Sequence, residues 1–209
     1  MSLIFYRAPH STASLSELIF EELEIPHEVV TLDLKKNETR KPEHLKLNPN
    51  GKVPVIVHDG TILWESSAIT MYLGETFGVE KKLWPAAGPK RGEAMKWVTW
   101  GNVTLGEAIS RWARNTSDWF PPEERNAKAG ETAKKDMEDC LSILDRALDG
   151  KSFLLGDFTL ADAHVSGFLD WLKAMKYDVS KHKNLTAWLG RCTTRPAYQR
   201  MTARENAAS

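Results

Sequence analysis

Three short segments hold side chains whose types and spacing could do chemistry. In His10-Ser11-Thr12-Ala13-Ser14, three hydroxyls and an imidazole follow directly on a short apolar run. A hydroxyl at such a junction can donate a hydrogen bond to an anion, but it is too weak an acid to give up its own proton. Lys52-Val53-Pro54 follows the turn-rich Asn48-Pro49-Asn50-Gly51 and sets a cation beside an extended backbone. Glu65-Ser66 stands just before a run with helical spacing. Amides at a helix start, together with the positive end of the helix dipole, form an anion site, and the Ser66 hydroxyl adds a donor.

Each segment also has a plainer use. Ser11, Thr12, Ser14 and Ser66 are common helix-start and N-cap residues. Pro54 suits the start of a strand, and Lys52 suits a solvated surface. Arg111 could neutralise an anionic ligand or pair with Glu107 one helical turn away. Thr159 and Asp162 have the spacing of a capping box with Asp in place of Glu or Gln, so they are assigned to structure and not to catalysis.

The elements that position these groups follow from periodicity. Leu3–Tyr6 predicts a buried strand, and Leu15, Leu18, Ile19 and Leu23 predict a helix that ends at Pro26. Val29, Val30 and Leu32 predict a second strand, closing a βαβ unit. After a stretch that reads as helix or loop, Val53–Val57 and Thr61–Trp64 predict strands joined through Asp59-Gly60, a hairpin signal. A helix from Ser66 to Phe77 comes next. The expected closure is a four-stranded mixed sheet with helices packed on it. The chain is expected to divide into residues 1–79, a linker at 80–89 anchored by Leu83 and Trp84, and an all-helical part at 90–209. In the long first helix of that part, Ala94, Val98, Gly101, Leu105 and Trp112 form one stripe. Trp97, Trp100, Thr104, Glu107 and Arg111 form a second, facing a substrate cleft or a partner if it is not core. Met137, Cys140, Leu141, Leu144 and Leu148 mark another helix, Leu160–Met175 a third, and shorter helices lie at 185–189 and 197–201. The tail beyond Arg204 is expected to lack fixed structure.

Composition excludes several classes. The 28 basic and 28 acidic residues cancel, with no block of one sign, so no nucleic-acid or membrane-surface partner is expected. No apolar run approaches the ~18 residues of a membrane span. Two distant cysteines, Cys140 and Cys192, make no disulfide framework, and with no signal peptide a cytoplasmic protein is expected. The histidines show no metal spacing, and none is expected to hold a metal.

With these elements in place, the sequence resembles the cytosolic glutathione transferase family over nearly its whole length. Four features carry the likeness: Asn48-Pro49-Asn50-Gly51-Lys52-Val53-Pro54-Val55, Glu65-Ser66-Ser67-Ala68-Ile69, the strand–hairpin–strand distance between those two, and Gly156-Asp157-Phe158-Thr159-Leu160-Ala161-Asp162. The resemblance implies an α/β plus all-α protein. Its first domain is thioredoxin-like (βαβ-α-ββα) and binds glutathione, and a helical bundle contributes the second-substrate site. It implies a cis Val53–Pro54 bond, which leaves the Val53 backbone free to pair with the peptide of glutathione as a miniature added strand. It implies that Ser66 and the helix start bind the γ-glutamyl carboxylate, that Glu65 binds the adjacent ammonium, and that Lys52 approaches from the loop side. Catalysis in such an enzyme lowers the pKa of the glutathione thiol, which stands near ~8.5 when free. Counted from Glu22-Leu23-Glu24-Ile25, the residue expected at the sulfur is Thr12, with Ser11 and Ser14 as alternatives and His10 at the same mouth. Thr104, Arg111 and His10 are the expected second-substrate residues. The resemblance further implies detoxification of a small hydrophobic electrophile by a homodimer, with glutathione as co-substrate. A glutathione-dependent disulfide reductase, an ether-cleaving lyase and a non-catalytic glutathione-fold module remain open as alternatives.

Overall fold

The computed structural model describes residues 2–207, which divide into two compact units: residues 2–86 with 194–207, and residues 87–193. In the first unit, β1 (Leu3–Arg7) leads through residues 8–12 into α1 (Ala13–Leu23) and then β2 (Glu28–Thr31). The apolar face read from the sequence is the buried one: Leu15, Leu18, Ile19 and Leu23 are enclosed. Glu24 ends the helix in the left-handed conformation, two residues before Pro26. The stretch compatible with helix or loop contains both, a 3₁₀ turn at Glu38–Arg40 and the short α2 (Pro42–Leu45).

β3 (Val55–His58) and β4 (Thr61–Trp64) form the expected hairpin. Asp59 and Gly60, at φ 46° and 84°, both take the left-handed conformation that a two-residue turn of this hand requires. The sheet order is β2-β1-β3-β4, with β1 parallel to β2 and antiparallel to β3. Phe5 sits at its centre, paired with Val29 on one side and Ile56 on the other. α3 (Ser66–Leu73) comes next, relaxing into a π turn at Gly74–Gly78. A side chain at Gly74 would stand 2.7 Å from the buried Trp84 ring, so the indole packs directly on this backbone.

The second unit opens with α4 (Pro89–Trp100), which continues through a π turn at Gly101–Gly106 into α5 (Glu107–Thr116). The π turn absorbs an extra residue and rotates α5 relative to α4 about the helix axis. The buried stripe therefore runs Ala94, Val98, Gly101, Leu105, Ile109, Ala113, and Trp112, expected in the core, is half-buried against Tyr177. α6 (Ala127–Ala147), α7 (Leu160–Ala174) and α8 (Lys183–Thr193) complete the unit. Asp162, in the first turn of α7, is fully buried and accepts from Leu154 N (2.8 Å), Thr159 N (2.9 Å), Thr159 Oγ1 (3.0 Å) and Trp188 Nε1 (2.9 Å). His164 is also fully enclosed. Burial pushes its pKa down to about 3, so it is neutral and donates from one ring nitrogen to Asn102 Oδ1 at 2.6 Å.

The last helix, α9 (Pro196–Ala207), corrects two expectations. It continues past Arg204, so residues 205–207 are helical; residues 208–209 lie outside the described residues. It also packs with the first unit rather than with the helices before it, so the helical unit ends at Thr193. The last helix buries an apolar face, Ala197, Tyr198 and Met201, and its Arg200 and Arg204 meet glutamates on α1. Just before the helix, Arg195 grips Glu22 through two bonds of 2.7 Å.

Candidate functional site

The turn before β3 is built to present one backbone segment. Asn48 is buried and accepts from Asn50 N and Nδ2, each at 3.0 Å, while its own amide donates to Lys52 O at 2.8 Å. His44 Nε2 lies 2.9 Å from the same carbonyl. A carbonyl only accepts, so this nitrogen carries the proton. Gly51 has φ 60°, and a Cβ there would meet the Arg40 guanidinium at 2.7 Å. The loop thus needs glycine for its conformation, while the flexible Arg40 side chain could move aside. Its output is the Val53–Pro54 bond, which is cis, with Lys52 exposed beside it.

The junction of β1 and α1 meets this segment. Thr12 is the residue before the first turn of α1, and its side chain does not cap that helix. Its Oγ1 instead donates to Val53 O at 3.1 Å, tying the helix start to the loop 41 residues away. Ser11 Oγ donates to Ala8 O at 2.7 Å and accepts from Ala13 N at 3.2 Å, and Ser14 Oγ donates to Ser11 O at 3.0 Å. In this structure each of the three hydroxyl protons points at a backbone carbonyl. His10 is exposed, with φ 52°.

The third segment is placed by strand register. Val55 pairs with Trp64, so the residues just outside that pair, Pro54 and Glu65, stand side by side at the end of the hairpin. Glu65 has φ 72° and ψ 118°, a conformation rare for a residue with a side chain. Such outliers persist where the surroundings impose them, often at ligand sites. It is Glu65, not Ser66, that occupies the N-cap position; Ser66 is the first residue of α3 and is buried. The plain N-cap role for Ser66 is therefore corrected. Its amide and that of Ser67 belong to the set that finds no acceptor within the helix itself.

In the helical unit, the second stripe is outward. Trp97 and Trp100 are half-buried and meet edge to face at 5.3 Å, and Thr104 is exposed. Arg111 is engaged twice, by Glu107 (2.6 Å) and Asp136 (2.7 Å). The Asp136 and Glu107 hydrogen bonds hold its pKa above the ordinary guanidinium value. Both cysteines are buried, and burial pushes the Cys140 thiol up. Among the described residues, no three of His, Cys, Asp or Glu converge as metal ligands, and no helix is long and apolar enough to cross a membrane.

Sequence reading missed His44 and Arg40, which hold the loop from below. Nothing in their local spacing points to Lys52 or Gly51.

Comparison with known proteins identifies two domains. Residues 1–75 match the glutathione S-transferase N-terminal domain, and residues 111–196 match the glutathione S-transferase C-terminal domain. The chain is 33% identical to the glutathione S-transferase GstB of Escherichia coli K12 over 88% of its own length and 89% of that protein's. A delta-class glutathione transferase from Nilaparvata lugens superposes with a TM-score of 0.86 at 26% identity, covering 99% of this chain and 95% of that one. A glutathione transferase homolog from Lodderomyces elongisporus, solved with two GSH per subunit, superposes with a TM-score of 0.88 at 23% identity, covering 98% and 99%.

Proposed function

The chain belongs to the glutathione S-transferase family, and from that premise we propose that it adds the thiolate of glutathione to a small hydrophobic electrophile. The observation that carries the reading is Glu65, held in a rare backbone conformation beside Pro54 and directly before the amides that open α3. A γ-glutamyl group, with a carboxylate and an ammonium on one carbon, fits that pair: the carboxylate takes the Ser66 amide and hydroxyl, and the ammonium takes the Glu65 carboxylate. The glutathione main chain then lies along Val53, with Lys52 on its open side. In conjugation, the thiolate attacks the carbon bearing the leaving group; the carbon–sulfur bond forms and the leaving group departs as an anion.

We assign thiol activation to the start of α1. The helix dipole contributes about 0.3–1 kcal/mol, and the Thr12 hydroxyl turns from Val53 O to the sulfur. A bond to a charged acceptor is worth about 1.5–3 kcal/mol and a neutral one about 0.5–1.5, so the net gain is on the order of 1–1.5 kcal/mol. Thr12→Ala is then expected to raise the bound-thiol pKa by about one unit. Thiolate absorbance of the binary complex against pH measures it, with Ser11→Ala and Ser14→Ala in parallel. A wild-type titration for Thr12→Ala with a shifted Ser11→Ala moves the role to Ser11. No shift in any of the three leaves the backbone amides as the sole stabilisers.

Thr104, on the outward stripe, is proposed for second-substrate recognition, and so, separately, is His10. Arg111, already held by two carboxylates, is proposed to act there only as part of that triplet. We further propose a cytoplasmic homodimer in detoxification, for which light scattering should give about twice the 23.6 kDa chain mass. A disulfide reductase that relies on glutathione sulfur needs no protein thiol, which the burial of both cysteines accommodates. Turnover of a chloronitroaromatic compound and of a small disulfide, each with glutathione, separates the readings. Conjugate formation with the aromatic is the expected result. Disulfide reduction alone favours the reductase, and binding without turnover of either favours a binding module. Absence of binding at millimolar glutathione in calorimetry would end the proposal.

A further inference from the structure

The last helix reaches back to the residue before the loop that carries Ser11 and Thr12 and to the helix that follows that loop. Arg204 donates to Glu17 Oε1 at 2.8 Å and to Glu21 Oε1 at 2.6 Å. Glu17 also accepts from Arg7 Nη1 at 2.6 Å, and the other terminal nitrogen of Arg7 lies 3.7 Å from Glu205. Further along α1, Arg200 meets Glu21 at 2.7 Å and Glu24 at 3.3 Å, and Arg195 grips Glu22. These pairs form a ladder along α1, and its rung nearest the site is the most enclosed: the side chains of Glu17 and Arg7 are 3% and 5% exposed.

The position of that rung matters. Arg7 is the last residue of β1, and Glu17 lies one helical turn, about 6 Å along the axis, from Ala13. The loop 8–12 therefore starts directly after a residue that Glu205 approaches, and Arg204 holds α1 one turn beyond the loop's end. Burial pushes the Glu17 carboxyl up, and the charges of Arg7 and Arg204 oppose this. A carboxylate so enclosed is tolerated only when paired. Without Arg204, Glu17 keeps its bond from Arg7 but loses its second cationic donor, and the surroundings must move to replace it. That movement falls on the turn of α1 that sets Thr12 against Val53. A cleft of about 410 Å³, lined in part by Arg7, Glu21, His27 and Arg204, runs beside the ladder, and the Arg204 side chain is half exposed to solvent and salt.

We infer that Arg204 is a positioning residue for the glutathione site, acting from the far end of the sequence by clamping Glu17 and so fixing the start of α1. The inference rests on the function proposed above, and its test separates the two. Arg204→Ala, Arg204→Lys and the control Arg114→Ala, which removes an exposed pair with Glu124 at 3.5 Å, are compared well below their melting temperatures. Arg204→Ala is expected to raise the glutathione Kd and KM roughly twofold to thirtyfold, the usual range for residues acting at a distance. Its bound-thiol pKa rises as well, kcat at saturating glutathione and high pH changes little, and high salt weakens the wild type toward the variant. Arg204→Lys restores most of the loss, and Arg114→Ala behaves as wild type. Amide hydrogen exchange at residues 13–16 is expected to accelerate in Arg204→Ala by a similar factor, with exchange in β3 unchanged. A lower melting temperature with wild-type Kd, thiol pKa and exchange at residues 13–16 would show that α9 only stabilises the fold and would overturn the inference. Accelerated exchange in a protein whose wild type binds no glutathione would keep the clamp and remove the function. Unchanged exchange overturns the clamp whether or not glutathione binds.

Discussion

Replacing Asp162 with alanine is expected to lower the unfolding free energy by about 3–5 kcal/mol, the range for removing one partner of a buried charged set. The carboxylate accepts four hydrogen bonds, and three come from groups that can only donate: Leu154 N, Thr159 N and Trp188 Nε1. Each buried donor left without a partner costs about 1–3 kcal/mol. Their simple sum exceeds the expectation because the Thr159 hydroxyl can turn and water can enter the space left behind. The loss is larger than an ordinary helix cap, at about 0.5–2 kcal/mol, because this cap also joins the loop before α7 to α8. For a chain of this size each kcal/mol lowers the melting temperature by about 2–4 °C, so a fall of roughly 6–20 °C is expected in calorimetry. Asp162→Asn should lose less, since one oxygen remains for Leu154 and Trp188 while the new amide opposes the Thr159 N–H. Glutathione affinity below the transition should stay at the wild-type value. An unchanged melting temperature with lost turnover would instead place Asp162 in the chemistry.

Ser66→Ala is expected to weaken glutathione binding by about 1–3 kcal/mol, roughly fivefold to 150-fold in Kd. The hydroxyl is buried at the first position of α3, so a carboxylate placed there loses a donor that water replaces poorly. The Ser66 amide remains, which is why some binding should persist. Glu65→Gln tests the other half of the same ligand group: it removes the charge offered to the ammonium and keeps the shape. The two losses should be less than additive when combined, because both residues hold groups on one carbon. Isothermal titration of the single and double variants measures this. Wild-type affinity in Ser66→Ala, with an unchanged melting temperature, would mean that the γ-glutamyl carboxylate binds elsewhere.

Much of this protein was legible in the sequence because the relevant signals are short-range. The short apolar strand runs, the Asp59-Gly60 turn, the helix stripe of α1 and the Thr159–Asp162 cap are each short-range, and periodicity or local hydrogen-bond chemistry determines them. The segments that carry the candidate site, Lys52–Pro54 and Glu65-Ser66, could be read for the same reason, and the domain matches and the relatives agree with the family they resemble.

What only the tertiary structure decided depends on groups far apart in the chain. Ser66 had the composition of an N-cap, but the end of the β3–β4 hairpin delivers the chain at an angle that makes Glu65 the cap residue, in a conformation no propensity favours. Thr12 could have capped its own helix; the loop fixed by Asn48 and His44 places a carbonyl within its reach instead. The stripe of the long helix shifted after Leu105 because a π turn inserts one residue, and the glycines at 101 and 106 leave room there for Phe168. The last helix joined the first unit through its buried Ala197, Tyr198 and Met201, and because Arg200 and Arg204, one turn apart on α9, meet Glu17 and Glu21, one turn apart on α1. Each pattern alone describes an ordinary solvated helix face. Only folding, which brings residues 17 and 204 together, makes them partners and encloses the Glu17 side of the pair.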